Sequence, residues 1–183
     1  TSAGSTLSSF DALQGGETLT MTGSGTAASA NVANGIAMSS NGNLALADGT
    51  GAASNYSLNS TVINIAKRVL NSSGSKTYDA NTNALAGAIT LSNLVSGEAL
   101  NHSGTATISS ANAGSYTISN LSGISIADGS GGAASNYTLT GGTHNFTVNR
   151  RVVSVQGNKT YDGNATISAG NITSVTGTVG SQT

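Results

Sequence analysis

Lysine, tyrosine and aspartate recur together at two places in the chain, and these residue types can carry chemistry. Lys76-Thr77-Tyr78-Asp79 reappears as Lys159-Thr160-Tyr161-Asp162. A lysine beside an acid could form a Lys–Asn isopeptide bond, which would lower the intact mass by one ammonia. The isolated motif favours an ordinary surface lysine over this covalent chemistry.

The histidines and acidic residues do not form a metal-binding pattern. His102 and His144 are the only histidines, and zinc requires three or four suitably spaced ligands. We therefore expect both to be surface residues. The loops that begin at Asp48 and Asp128 could offer calcium one carboxylate plus carbonyl oxygens, but they fit plain Asp-Gly turns better. The sequence predicts no metal and no cofactor.

The many serines lack the surroundings that a nucleophile needs. No Gly-x-Ser-x-Gly elbow lies between a strand and a helix, and Ser39 is typical of a polar strand or turn position. Gly23-Ser24-Gly25 also lacks the strand-to-helix context of a phosphate loop. We predict no enzyme, and no catalytic, cofactor-binding or metal-binding residues.

Five tyrosines are candidates for stacking on sugars if they are exposed. The spacing of two pairs instead favours a structural role, because each pair recurs in register and would fill the same place in the core. The tyrosines are Tyr56, Tyr78, Tyr116, Tyr137 and Tyr161.

The elements that position these residues are predicted to be strands. Apolar and polar residues alternate over short runs, as in half-buried strands, and no apolar stripe has the period of a helix. The alternating pairs are Leu19/Met21, Leu44/Leu46, Tyr56/Leu58, Ile63/Ile65, Ala106/Ile108, Tyr116/Ile118, Ile124/Ile126, Tyr137/Leu139 and Phe146/Val148. Asn-Gly and Asp-Gly pairs supply tight turns, since proline is absent. They lie at 34–35, 41–42, 48–49, 128–129 and 162–163.

The repeat of about 83 residues predicts a modular chain. We divide it into the C-terminal part of a first repeat (1–66), a complete repeat (67–149) and the N-terminal part of a third (150–183). Each repeat would hold six to eight strands in a small sandwich-like or grasp-like β-domain, and the domains would form an elongated tandem array. A parallel β-helix is the alternative, although the shorter period of its coils is not found.

Composition excludes several classes of function. Charged residues make up 7% of the chain and the net charge is -1, so no basic excess is present to bind nucleic acid. No apolar stretch is long enough to span a membrane. A chain without cysteine that is rich in Ser, Thr, Asn and Gly is typical of large exported bacterial surface proteins.

All six basic residues lie at the two junctions between repeats. Each junction also has an acid nearby, Asp79 or Asp162. They could form a polar clamp between domains or chains, or be solvated strand ends that discourage edge aggregation. The basic residues are Lys67, Arg68, Lys76, Arg150, Arg151 and Lys159.

The recurring motifs resemble the YDG-type repeat. The resemblance opens on Lys-Thr-Tyr-Asp-Gly at 159–163 and on its variant at 76–80, where Ala80 replaces glycine. Further matches are Leu94–Glu98, Gly104–Ala106, Ala111–Gly114, Ala134–Leu139 and Phe146–Val152. Asn149 or Ala66 stands where the repeat usually has proline. The resemblance implies large bacterial exoproteins similar to filamentous-haemagglutinin-type adhesins, many exported by two-partner secretion. It implies no catalytic residues.

We therefore expect a structural stalk or fibre segment of an exported bacterial surface adhesin or extracellular matrix protein. Its partners would be neighbouring repeats of the same chain, other copies in a fibre, and host or matrix glycans. It would lie outside the cell or on the bacterial surface. The alternative is a glycan- or protein-binding adhesive module that uses exposed tyrosines.

Overall fold

The computed structural model describes residues 13–58 and 62–182, together with the backbone of a short strand at 6–7. The chain divides into two compact units, Thr1–Lys67 and Arg68–Thr183. The remaining positions of the predicted first repeat, and Asp11 among the acids, lie outside the described residues.

The described residues form short strands and no α-helix, which confirms the prediction of an all-β chain. The first unit contains β1 (Thr6–Leu7), β2 (Leu19–Thr22), β3 (Thr26–Ala27), β4 (Ala33–Ser40), β5 (Ala45–Asp48) and β6 (Val62–Ile65). The second contains β7 (Arg68–Val69), β8 (Asn71–Thr77), β9 (Asn83–Leu85), β10 (Ile89–Ser92), β11 (Leu100–Ile108), β12 (Gly114–Asn120), β13 (Ile124–Asp128), β14 (Tyr137–Thr138), β15 (His144–Asn149), β16 (Ser154–Gly157) and β17 (Ile172–Thr176). Within the described ranges, four 3-10 turns lie at Ala53–Asn55, Ala86–Ala88, Ala134–Asn136 and Ala169–Asn171.

The main sheet of the second unit curls into a nearly closed barrel. Its strand order is β10-β8-β15-β12-β11, and β11 pairs along its length with β12, β13 and β9. The outer strands β9 and β10 are consecutive in the chain and are joined by the turn Ala86–Ala88. This barrel-like sheet replaces the sandwich-like or grasp-like arrangement predicted from sequence, and its mostly antiparallel pairing differs from a parallel β-helix.

The first and last strands of residues 68–149 run side by side in the same direction. β7 pairs with β14, and β8 pairs with β15 over six residue pairs from Ser72–His144 to Thr77–Asn149, all parallel. Nine strands fill this segment, more than the six to eight expected. The extra ones are β7, β9 and β14, which are only two or three residues long.

Alternate side chains of these strands fill the barrel. Phe146 and Val148 of β15 are 1% and 2% exposed and lie among buried aliphatic residues of the other strands. Tyr78 and Tyr116 are only partly buried but pack against the same cluster. The other members are Ala84, Ala86, Ile89, Ala106, Ile108, Ile118 and Ile124.

The described residues of the first unit form two three-stranded sheets, β1-β2-β5 and β3-β4-β6. The pairings of β2 with β5 and of β4 with β6 are antiparallel, like those of β11 with β13 and of β12 with β15. Leu19 and Ile36 are its buried apolar residues within the described part.

Two local predictions in this unit were wrong. Asn34-Gly35 is not a hairpin turn; it lies inside β4, where the register with β6 shifts and Gly35 adopts a φ of 66°. The positive φ of Gly35 is therefore part of a β-bulge and not of a hairpin turn. Tyr56 and Leu58 alternate as a strand would, yet residues 56–58 form none.

Gly23 and Gly104 occupy equivalent places at which only glycine fits. Their φ angles are 86° and 100°, and a Cβ would lie 2.1 Å from the Asn43 backbone oxygen or 2.0 Å from that of Gly123. A positive φ combined with a close approach of the neighbouring backbone explains the requirement for glycine at both places.

Candidate functional site

Lys76 is the centre of a polar cluster at the end of β8, which we call the lysine clamp (Lys76, Asp79, Asn81 and Asn83). Its Nζ lies 2.8 Å from Asp79 Oδ1, 2.8 Å from Asn81 O, 2.9 Å from Asn81 Oδ1 and 2.8 Å from Asn83 O. Four oxygens surround a group that has three N–H donors. Each N–H of Lys76 therefore has an acceptor oxygen within the clamp.

The same clamp recurs at the start of the third predicted repeat. Lys159 Nζ lies 2.8 Å from Asp162 Oδ1, from both Asn164 oxygens and from Thr166 O. The only change of residue type is threonine for asparagine at the last position, which contributes a backbone oxygen in both cases. Because the backbone oxygen of this residue accepts the hydrogen bond, its side chain can differ between the two clamps.

The lysines are not the ordinary surface residues that the motif suggested. The Lys76 side chain is 12% exposed, whereas its partner Asp79 is 41% exposed. The aliphatic stem of Lys76 is covered, while the Asp79 carboxylate remains in contact with solvent. Water therefore partly screens the ion pair. A cavity of about 190 Å³ beside the clamp is lined by Lys76, Asp79, Asn81, Asn83, Leu85 and Ala88.

The clamp lowers the pKa of both aspartates. Desolvation raises the pKa of Asp79, but hydrogen bonds from Lys76 and from the Asn81 backbone outweigh it and leave the pKa below its usual value. For Asp162 the hydrogen bond from Lys159 is the largest cause of the lowered pKa. Each aspartate also accepts the N–H of the residue two positions on, which closes the turn.

The residue after each aspartate has a left-handed backbone. Gly163 has a φ of 77°, and Ala80 has a φ of 63° in the same place. The predicted Asp162-Gly163 turn is thus present, and Ala80 adopts the same turn without glycine. The steric cost to alanine in this conformation is about 1 kcal/mol or more.

A second recurring contact joins a tyrosine to a glutamate. Tyr137 Oη donates to Glu98 Oε2 and accepts the Val95 N–H at 3.1 Å. In the first unit, Tyr56 Oη donates to Glu17 Oε2 at 2.6 Å and accepts the Gln14 N–H at 3.4 Å. One common spacing along the chain therefore relates Tyr137 to Tyr56, Glu98 to Glu17 and Val95 to Gln14.

The glutamate raises the pKa of each tyrosine. The Glu98 carboxylate accepts a hydrogen bond from Tyr137, which stabilises the phenol and raises its pKa above 10.0. Glu17 does the same for Tyr56. Both hydroxyls are therefore neutral donors over the whole physiological range, and they fix the loop before β2 or β11 to the 3-10 turn.

The two histidines are half-buried hydrogen-bonding residues rather than surface ones. His144 Nε2 lies 2.8 Å from Leu139 O, so this nitrogen must donate, and Nδ1 lies 2.9 Å from Ser72 Oγ. This contact satisfies Ser72, which is 3% exposed. His102 Nε2 lies 2.9 Å from Ile89 O. Each ring joins two segments of the barrel.

The arginines of the two junctions bind the loop after the adjacent hairpin. Arg68 Nε lies 2.5 Å from Asn93 O and Nη2 lies 2.9 Å from Asn93 Oδ1. Arg151 Nε donates to Gly177 O at 2.5 Å. These contacts lie within the second unit, so the basic residues support its loops.

The acidic turns use their carboxylates on the backbone. Asp48 Oδ1 accepts the Ala53 N–H at 2.7 Å, and Asp128 Oδ1 accepts the Ala134 N–H at 2.7 Å. In the part of the chain that the structure describes, no three His, Cys, Asp or Glu side chains are grouped to hold a metal ion.

The tyrosines differ widely in exposure. Tyr137 is 2% exposed and Tyr161 is 95% exposed, while the others are half-buried. Tyr78 accepts a hydrogen bond from Gln182 at 2.8 Å and packs on the barrel core. The structural role expected from the recurrence therefore holds for Tyr78 and Tyr137, and Tyr161 is the tyrosine with a free ring face.

Comparison with known families identifies part of the chain. Residues 66–145 match the YDG domain. The matched segment begins beside Arg68 and ends within β15, so it includes the first lysine clamp and the Tyr137–Glu98 contact. No curated protein and no solved structure gives a significant match to the chain. Among the described residues there is no helix with the length and hydropathy that a membrane span requires.

Sequence reasoning found the clamp lysines and aspartates but missed their other partners. Asn81 gave no signal of its own, because a single asparagine is compatible with any surface turn, and the pairing of Glu98 with Tyr137 was not predicted. The available signal was pairwise: Glu17 and Glu98 recur at the same spacing as Tyr56 and Tyr137. A shared spacing predicts that two residues belong to one structural unit.

Proposed function

We propose that this chain is a segment of a structural stalk or fibre in an exported bacterial surface adhesin or extracellular matrix protein. It has no catalytic activity in this proposal. Its repeats are consecutive YDG-type modules, with 67–149 complete, 1–66 the C-terminal part of one and 150–183 the N-terminal part of another.

The parallel pairing of β8 with β15 is the observation that carries this proposal. In residues 68–149 the chain begins at one end of the barrel with β7 and leaves beside the far end of β8, where Asn149 pairs with Thr77. At about 3.3 Å per residue the two points lie roughly 30 Å apart. Modules with their ends on opposite sides extend when they are joined in series.

The recurrence of whole contact sets supports the modular part of the proposal. The lysine clamp and the Tyr–Glu contact are each present twice, and the two copies of each are separated by nearly the same length of chain. Identical local structures at nearly identical spacing are expected when one module is used repeatedly. The clamps stabilise a turn, which suits a structural role.

The surface composition supports a position outside the cell. A net charge of -1 with few charged residues gives little long-range attraction to nucleic acid or other polyions. The absence of cysteine leaves hydrogen-bonded turns to stabilise each module. We propose neighbouring modules and further copies of the chain as its partners.

Small-angle scattering of the 183-residue chain tests the proposal. A compact globule of this length has a radius of gyration of about 16 Å. Modules in series, each adding roughly 30 Å, raise this value to about 20 Å or more and give a maximum dimension above about 60 Å. A radius of gyration equal to that of the compact globule, measured at high dilution, would refute the stalk.

A glycan-binding module is a second candidate, favoured by the exposed ring of Tyr161. A glycan array with wild type and Tyr161→Ala tests it, and Leu85→Ala serves as the control because Leu85 is also exposed. Binding that Tyr161→Ala alone abolishes supports the module. A wild-type chain that binds no glycan eliminates it.

A further inference from the structure

The chain contains two Asn-Gly pairs, and they lie in different surroundings. Asn41-Gly42 lies in the turn between β4 and β5, whereas Asn34-Gly35 lies inside β4. Glycine has no side chain to shield its backbone nitrogen, so in this dipeptide the nitrogen can approach the amide carbon of the asparagine side chain. Both pairs hold the two groups that ring closure needs, and their surroundings decide which pair reacts.

The backbone nitrogen of Gly35 is held by a neighbouring strand. Its N–H donates to Asn64 Oδ1 at 2.8 Å, and Asn64 lies on β6, which pairs with β4 before and after this residue. The nitrogen can turn towards the Asn34 side chain only if this hydrogen bond breaks and the two strands open locally. The surroundings of Gly35 therefore oppose ring closure.

The backbone nitrogen of Gly42 is held less firmly. Its N–H donates to Ser40 Oγ at 3.1 Å, and that hydroxyl belongs to an exposed side chain that can rotate away. The hydrogen bond that closes the turn joins Leu44 N to Asn41 O at 2.9 Å and does not involve Gly42. Among the described residues, the exposed side-chain amide of Asn41 has no hydrogen-bond partner.

The three Asp-Gly pairs of the chain differ from this turn, because their side chains are engaged. Asp48 Oδ1 and Asp128 Oδ1 each accept the first backbone N–H of the 3-10 turn that follows. Asp162 Oδ1 lies 2.8 Å from Lys159 Nζ in the second lysine clamp. Asn41 instead combines an unrestrained side chain with a following nitrogen that no strand pairing holds.

We propose that Asn41 is a site of spontaneous deamidation, with water as the only co-reactant. The Gly42 nitrogen loses its proton to solvent base and bonds to Asn41 Cγ, which lies one residue away in the same chain. The bond from Cγ to Nδ2 breaks, and ammonia leaves after it takes a proton from solvent. Water then opens the succinimide at either carbonyl, which gives aspartate or isoaspartate.

The modification changes the charge and the backbone of the turn. It adds one carboxylate to a chain whose net charge is -1. Isoaspartate also adds one carbon to the main chain directly before Gly42, where space is short, since a Cβ on Gly42 would lie 2.3 Å from Ser24 O. Asn43 binds the same serine, because its N–H donates to Ser24 O at 3.1 Å and its Oδ1 accepts the Ser24 N–H at 2.8 Å. Isoaspartate at position 41 therefore loosens the contact of the turn with Ser24.

Incubation of the whole chain in a mildly alkaline buffer tests the proposal. Cyanogen bromide cleaves after Met38 and trypsin after Lys67, so Asn34 and Asn41 fall in separate fragments. Each deamidation raises the mass of its fragment by one dalton, and tandem mass spectrometry locates the change. Because the Gly35 N–H must first leave its partner, Asn41 should react about tenfold faster than Asn34, a ratio equal to about 1.4 kcal/mol.

The chain unfolded in urea is the control for intrinsic reactivity. There the two asparagines should react at similar rates, since Gly35 has lost its hydrogen bond. In the folded chain, Asn64→Ala removes the acceptor and should raise the rate at Asn34 towards the unfolded rate, while the rate at Asn41 stays the same. Asn64→Asp keeps an acceptor oxygen and should leave Asn34 slow. Hydrogen exchange of peptides that contain Ser24 should accelerate as isoaspartate accumulates.

Equal rates at Asn34 and Asn41 in the folded chain would overturn the proposal. A folded chain in which Asn41 stays unmodified while the unfolded chain reacts would overturn it as well. The reaction does not depend on modules arranged in series, so a compact particle in small-angle scattering would remove the stalk and leave this site in place.

Discussion

We expect Phe146→Ala to remove a large share of the stability of the second unit. Phe146 is 1% exposed, and its ring lies over Gly74, where a Cβ would lie 2.8 Å from Phe146 Cε2. Truncation to alanine exposes or leaves empty about 150 Å² of apolar surface, worth about 4 kcal/mol at about 25 cal/mol per Å². Measured Phe→Ala changes in cores are about 3–5 kcal/mol.

This loss is large compared with the total free energy of unfolding of residues 68–149. A segment of this size has a free energy of unfolding of about 4–12 kcal/mol. Hydrogen exchange followed by mass spectrometry reports the change by segment, in peptides that contain β8 and β15. A loss of about 4 kcal/mol accelerates exchange about 1,000-fold, or removes protection altogether if the module is less stable than that.

Ile63→Ala is the matched control at the equivalent position of the first unit. Ile63 is only half-buried, so we expect a loss of about 1–2 kcal/mol there, seen in peptides that contain β4 and β6. If Phe146→Ala accelerated exchange less than about tenfold, or no more than Ile63→Ala does locally, Phe146 would not be the packing centre of the barrel.

Three further predictions concern the turns. Ala80→Gly relieves a left-handed alanine, so it should stabilise the turn by about 0.5–1 kcal/mol and slow local hydrogen exchange. Gly163→Ala should destabilise its turn by a similar amount, and effects of the same sign in the two variants would contradict this reasoning. Because the pKa of Asp79 is lowered, its ion pair stabilises the turn above the ordinary pKa of 3.8 and is lost as pH falls below it. Exchange of residues 76–83, corrected for intrinsic rate, should therefore accelerate up to about fivefold below about pH 4 in wild type and stay flat in Asp79→Asn. Gly104→Ala should cost more than about 2 kcal/mol in urea denaturation, whereas Gly87→Ala, whose Cβ would meet nothing within 4 Å, should be nearly neutral.

The strand pattern could be predicted from sequence because half-buried strands alternate. Phe146 and Val148 are buried on β15 as their spacing indicates, and the Asn41-Gly42 turn lies between β4 and β5 as expected. The curvature of the sheet could not be predicted. It depends on β11 pairing with three other strands and on the parallel contact of β8 with β15, and pairing partners far apart in the chain leave no local signal.

The clamp was predicted in part, for a similar reason. Lys76 and Asp79 are close in the chain and recur, so their association is visible in the sequence. The covering of the lysine stem depends on where the loop at 81–83 returns, and the turn geometry at Ala80 does not follow from residue preference. Asn34-Gly35 shows the same limit, because positive φ at Gly35 fits a bulge as well as a hairpin.

The parallel contact of β8 with β15 determines how the module responds to force. If the two ends of residues 68–149 are pulled apart, β8 is drawn one way and β15 the other, along their common axis. The hydrogen bonds of the six residue pairs then lie across the direction of pull and share the load, so they must fail together rather than one at a time. Resistance to such forced unfolding is set by the rate of unfolding rather than by its free energy. A module whose first and last strands are sheared in this way is suited to bear tension applied between its two ends.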